Sequence, residues 1–244
     1  DADPEIRDGE EVLIVTADRK AIATGVARMD GPDMVALDRG MAVKTKWVKP
    51  EDPVLSHKKW NWQSIAKANS GTIEKRVDEA VRFIHRTIGK YELPAVVSFS
   101  GGKDSLATLL LTFRAGLKLP VFFVDTGLEF PETMDHVREV AERHDLELIE
   151  ESAPKDAFYG NIVHFGPPAK DYRWCCKTNK LGPMVMATNK HFPDGVLSFI
   201  GQRRYESEAR KNKPRVWKNP WTPRQIGASP IQEWNSLHVW LFIF

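Results

Sequence analysis

Cysteine is nearly absent: the 244 residues hold two, Cys175 and Cys176, and they are neighbours. Vicinal cysteines rarely bridge and no others remain, which excludes a disulfide framework. Long apolar runs are missing too. No stretch approaches the roughly 18 uninterrupted apolar residues of a membrane span, and the opening DADPEIRDGEE is acidic where an export signal would be basic and then apolar. A strong charge of either sign is also lacking. The formal net charge of +2 does not by itself argue for nucleic acid, although Lys and Arg collect late in the chain, in GQRRYESEARKNKPRVWK. What is left is ordinary globular composition, 42% hydrophobic and 28% charged, and the expectation of a cytoplasmic protein with no membrane contact. Because the sequence stops at Phe244 directly after VWLFIF, an unusual finish for a soluble surface, the chain is expected to continue beyond it.

Residues 9 to 48 carry short alternating segments, EVLIVTA, AIATGVARM, MVALD and AVKTKWV, separated by DGPD and DRG turns. That pattern predicts a small all-β unit over residues 1–50. Residues 51–90 read as a polar, proline-containing linker or docking segment followed by an amphipathic helix. Ile73, Val77, Val81, Ile84 and Ile88 set the helical spacing and Gly89 is its expected end.

From residue 91 the pattern changes. AVVSF, PVFFVD, LELIEE and VLSFI read as buried strands, and SLATLLLTFRAG and ETMDHVREVAERH as helices between them. Strands rich in Val, Ile and Phe that alternate with helices predict an α/β fold, a doubly wound and mostly parallel sheet. Ligands of such sheets sit beyond the carboxyl ends of the strands. The segment there after the first strand is Ser100-Gly101-Gly102-Lys103-Asp104-Ser105. The glycines let main-chain amides approach an anion, the following helix offers free N–H groups and its positive dipole end, Lys103 adds a charge, and Ser100 and Ser105 add hydroxyls. A phosphate or sulfate group suits this turn. A plain Gly-Gly turn with a Ser cap is the structural alternative.

SGGKDS resembles the PP-loop of the adenine nucleotide alpha hydrolase-like superfamily. VDTGLEFPETMDHV, YRWCCKTNKLGPM, GQRRYESEAR and SPIQEWNSLHVWLFI are similar, in that order, to motifs of the phosphoadenosine phosphosulfate (PAPS) reductase family, over about residues 91 to 244. The resemblance implies a nucleotide-binding domain for ATP, adenosine phosphosulfate (APS) or PAPS. It sets Asp125, Thr126, Gly127 and Glu129 against the adenosine side and Arg203 and Arg204, with Arg210, Lys177 and Lys180 near by, on phosphate or sulfate oxygens. The alternatives for these residues are turn shaping and helix capping by Asp125, Thr126 and Glu132, and surface salt bridging by the arginines.

For Cys175 and Cys176 three possibilities stay open: a partial [4Fe-4S] ligand set completed by residues this chain does not contain, reactive thiols in sulfur transfer, or inert buried cysteines. The family's catalytic cysteine has no match here, so the catalytic residue is unknown. The expected activity is sulfonucleotide reduction to sulfite with a thiol or ferredoxin-type electron donor. The alternatives are an ATP-dependent RNA sulfur-transfer enzyme and a non-catalytic nucleotide sensor. Residues 9–48 resemble part of a PUA domain, which would make RNA a partner through Arg19, Lys20, Arg28, Arg39, Lys44 and Lys46. Trp60 and Trp62 would either stack on bases or pack between domains.

Overall fold

A computed structural model of the chain describes residues 1–49 and 61–244, and the chain divides into two compact units, Asp1–Lys59 and Trp60–Phe244. The first is an antiparallel sheet of β1 (Glu11–Val15), β2 (Ala21–Ala27) and β3 (Val43–Val48), with a short helix α1 (Gly31–Ala36) between the last two strands. MVALD, expected as a strand, therefore lies mostly in α1. Pro32 near the start and Asp33 in the first turn favour a helix there over a strand.

The second unit opens with α2 (Trp62–Tyr91), whose N-cap Asn61 accepts a hydrogen bond from the Ser64 N–H at 2.8 Å. Two expectations are corrected here. Residues from Trp62 onward are helical rather than linker, and the helix runs through Gly89 to end on Glu92, left-handed at φ 49°. Ile88 and Tyr91 still pack on the core, so burial outweighs the modest cost of a glycine inside a helix. Residues 51–60 of the segment expected to be a linker, including Trp60, lie outside the described residues.

The remaining elements are β4 (Ala95–Ser98), α3 (Lys103–Arg114), β5 (Val121–Asp125), α4 (Pro131–Arg143), β6 (Leu148–Ser152), α5 (Ala157–Phe165), α6 (Gly182–His191), β7 (Val196–Ile200), α7 (Glu208–Lys211), β8 (Val216–Asn219), β9 (Thr222–Ala228) and α8 (Ser236–Ile243). The sheet order is β6-β5-β4-β7-β9-β8, parallel except for the edge strand β8. Side chains leave alternate faces of each strand. Val97, Phe99, Val121, Leu197 and Phe199 join Ile73, Val77 and Ile84 of α2, Leu109 and Leu111 of α3 and Trp234 in one core cluster. Val96, Phe122, Ile149 and Val196 join Ala187 of α6 in another. Both faces are thus covered, as a doubly wound sheet requires.

The order also decides where the site lies. From β4 the chain runs outward through β5 to β6, then returns to place β7 on the other side of β4. Segments after β4 and after β7 therefore meet at the point where the strand order reverses, the usual ligand crevice of such sheets. Among the described residues no helix is long and apolar enough to cross a membrane.

Candidate functional site

The turn after β4 reverses direction at Gly101, whose φ of +75° is strained for any residue with a Cβ and whose added Cβ would come within 3.1 Å of Thr133. Helix α3 then starts at Lys103, with Gly102 as N-cap and no side-chain cap. Its first N–H groups, those of Lys103 and Asp104, have no hydrogen-bond partner among the described residues, and the dipole end points the same way. Ser105 is 5% exposed; its hydroxyl donates to the Gly102 carbonyl at 2.8 Å and accepts from the Ser100 N–H at 3.2 Å. That hydroxyl braces the turn. The Ser100 hydroxyl lies 3.3 Å from it.

The segment after β7 presses on this turn. Gly201 allows it: an added Cβ would fall 2.5 Å from the carbonyl carbon and oxygen of Asp104. Two residues on, Arg203 is 7% exposed and donates through Nε to Asp104 Oδ1 at 2.8 Å and through a terminal nitrogen to Oδ2 at 3.2 Å. Glu206 accepts from the Arg203 N–H at 3.0 Å and pairs with Arg210. Lys103 Nζ also reaches Asp104 Oδ2, at 3.0 Å. Arg204 is turned elsewhere, onto Glu233 at 2.7 Å.

On the other flank, after β5, Asp125 Oδ1 accepts the Gly127 N–H at 2.8 Å and the Thr126 hydroxyl donates to Glu129 at 3.0 Å, so these side chains shape their own turn. Glu132 sits in the first turn of α4, where an acid favours the positive end. Asp125, Thr126 and Gly127, with Ser152, Phe158 and Asn179, line a cavity of about 350 Å³. Asn179 is 2% exposed and donates to the Thr126 carbonyl at 3.0 Å, tying the segment after the cysteines to this loop.

Residues 94–244 match the phosphoadenosine phosphosulfate reductase domain. The chain belongs to that family. Residues 1–48 match the PUA domain. An uncharacterized protein of Methanocaldococcus jannaschii is 35% identical over 246 residues, 98% of this chain and 51% of that protein. Sulfate adenylyltransferase subunit 2 of Mycobacterium sp. (strain KMS) is 27% identical over 192 residues, 68% of this chain and 59% of that protein. The chain thus spans about half the length of the first of these relatives. Among solved structures, FMN adenylyltransferase of Candida glabrata with FAD and inorganic pyrophosphate gives a TM-score of 0.54 at 17% identity, covering 78% of this chain and 60% of that one. PAPS reductase of Candida auris in a phosphate complex gives 0.50 at 17%, covering 77% and 88%. These likenesses show the PP-loop fold.

Within the PAPS reductase domain, Cys175 and Cys176 are free, half-buried thiols at the start of a π-helical turn, Cys176–Leu181. Arg173 donates to Cys176 Sγ at 3.4 Å. A [4Fe-4S] cluster takes four thiolates, and among the described residues no three His, Cys, Asp or Glu side chains gather as a metal site. The two thiols present do not by themselves fit that cluster.

Lys177 lies over the Trp221 ring at 5.1 Å. Trp62 stacks on Phe244 at 5.2 Å, and in the N-terminal unit Lys20 and Lys46 pair with Asp18 and Glu11. Sequence reasoning did not single out Asn179, and it held Glu206 only as a surface salt-bridge partner of Arg203 and Arg204. The only signal for Asn179 is its place four residues after Cys175, one helical turn on; Glu206 stands three after Arg203, the spacing of a reciprocal cap.

Proposed function

We propose that residues 94–244 bind an adenine nucleotide with its phosphate or sulfate end on the turn 100–105, and that the protein reduces a sulfonucleotide, PAPS or APS, to sulfite. The observation that carries this reading is the unpartnered start of α3 beside Lys103, at the reversal of strand order. Preorganised amides and a lysine there would stabilise the charge that builds on the leaving phosphate. The adenosine side would occupy the cavity at Asp125, Thr126 and Gly127. The name of the Candida auris neighbour agrees with the reading.

In this reaction a thiolate of the electron donor attacks the sulfonate sulfur. The sulfur–oxygen bond to the phosphate breaks, and the nucleoside phosphate leaves with the electron pair. A second thiolate attacks the thiosulfonate formed, which releases sulfite and leaves a disulfide, so the thiols are oxidised and the sulfur reduced. Cys175 and Cys176 stand on the segment that Asn179 ties to the cavity loop, which suits thiol chemistry near the nucleotide. Anaerobic incubation of the protein with PAPS or APS and dithiothreitol or reduced thioredoxin tests this. Sulfite and a stoichiometric nucleoside phosphate are expected, and saturable binding of neither nucleotide, with no sulfite, overturns it.

The PUA match at 1–48 favours one second reading, an ATP-dependent enzyme that transfers sulfur to RNA. The same turn would then hold the pyrophosphate of ATP. Pyrophosphate release that depends on added RNA, without sulfite formation from PAPS or APS, would select it.

A further inference from the structure

The turn proposed to take an anion already contains one, the carboxylate of Asp104. Both of its oxygens are held by Arg203, at 2.8 and 3.2 Å, and Lys103 shares Oδ2 at 3.0 Å. The two cations differ in freedom. The Arg203 side chain is 8% exposed and engaged on two sides, by Asp104 and by Glu206 at 3.6 Å. The close packing of Gly201 on Asp104 fixes the same segment. The Lys103 side chain is 29% exposed and, among the described residues, bonds only Asp104.

Resting on the reading that residues 100–105 hold a nucleotide's phosphate, we propose that Asp104 is a specificity-determining residue: a built-in competitor from which the entering anion must take Lys103. Three physical points carry this. Lys103 can leave without stranding a buried charge, because both carboxylate oxygens keep their Arg203 partners; a buried carboxylate with no partner would be far more costly. Asp104 in the first turn of α3 also offsets part of the positive helix end, which lowers the attraction for any anion. A carboxylate or chloride arriving from solvent exchanges one weak anion for another and gains nothing at Lys103. A pyrophosphoryl group carries more charge and more oxygens, so it can engage Lys103 and the free amides at once. Arg203 stays on Asp104 throughout and acts by positioning. The site thereby rejects small monoanions and admits multiply charged phosphoryl ends.

The test is a double-mutant cycle read by calorimetry with inorganic pyrophosphate, on the whole chain, using wild type, Asp104→Asn, Lys103→Met and the double variant. Asn keeps an oxygen for Arg203 and releases Lys103. Asp104→Asn should tighten pyrophosphate binding about tenfold, equivalent to about 1.4 kcal/mol, and when Lys103 is Met the gain should shrink to the smaller part that the helix end supplies. Unchanged or weaker binding in Asp104→Asn, or an equal gain in the Met background, overturns the proposal and leaves the nucleotide reading intact. Wild type that binds neither pyrophosphate nor any of ATP, APS and PAPS overturns both. Should Asp104→Asn not fold, NMR of the Lys103 ε-methylene in the unaltered protein decides. Its signal must move on saturation with pyrophosphate while Arg203 Nε stays put; saturable binding with a stationary Lys103 signal refutes the proposal.

Discussion

The two units build their sheets from different strand sequences, short alternating segments in the first and near-continuous apolar runs in the second. In the Trp60–Phe244 unit apolar side chains from both faces of the sheet are buried: Val96, Val97, Leu197 and Phe199 are each 0% exposed. In the Asp1–Lys59 unit only Ala23 and Ala27 are buried hydrophobics among the described residues, while Leu13 and Trp47 are 60% and 54% exposed. Val15, on the same face of β1 as Leu13, is 45% exposed. A sheet covered on both faces turns every apolar residue into stability, whereas a small three-stranded sheet does so at few positions. Alternation marks a strand; whether anything covers it depends on the layers around it.

That contrast can be pushed hardest at Arg203. Arg203→Met leaves the Asp104 carboxylate, with a side chain 16% exposed, without its guanidinium, and should cost the second unit about 3–5 kcal/mol; denaturant unfolding, with hydrogen exchange in α3 and β7, measures it. Next comes a matched pair of truncations. Leu109→Ala, at a position 0% exposed in the second unit, should cost about 3 kcal/mol, whereas Leu13→Ala in the first should stay within about 0.5 kcal/mol. Equal losses in denaturant midpoints would erase the contrast between the units.

Ala27→Leu probes a tight place in the first sheet. Overpacking a position that is 0% exposed should cost about 1–3 kcal/mol, seen as faster amide exchange in β1 and β2. Asn61→Ala removes the cap of α2 and should lower stability by about 1 kcal/mol, read as earlier exchange at Ser64 and Ile65.

The smallest effect is a pH dependence at α8. Burial, and then the positive charge of Arg76, hold the His238 pKa below its ordinary value. Its Nδ1 accepts the Asn235 N–H at 3.1 Å, a bond only the neutral ring can make. The unfolded chain therefore binds the proton more readily, so the contribution is present above about pH 6.5 and is lost as pH falls below it. Thermal melts at pH 7.5 and 5.5 should show a drop that His238→Gln reduces.

Much of the fold was legible because strands and helices alternate with different periods. VLSFI forms a strand over the whole expected span, and α3 closes at Gly116 with φ +72°. Strands β8 and β9 escaped notice: KNPWTP carries two prolines, and Thr222 and Gln225 are polar residues that are buried by bonding one another and Ser198. Helices α5 and α6 were unread for a related reason. AFYGNIVHF is apolar nearly all round and has no face to point to the core. In the candidate site the turn 100–105 was plain from its glycines, lysine and serines. The partners of its charges were not.

By itself the sequence determined which residues can make an anion turn and that this turn follows a buried strand, since both depend on neighbours along the chain. Only the tertiary structure decided that Arg203 grips Asp104 rather than solvent, and that Arg204 turns to Glu233. Those pairings arise because β7 returns beside β4, bringing together residues 99 positions apart. Local patterns are written in successive residues; which charge neutralises which is set by the order of strands in the sheet.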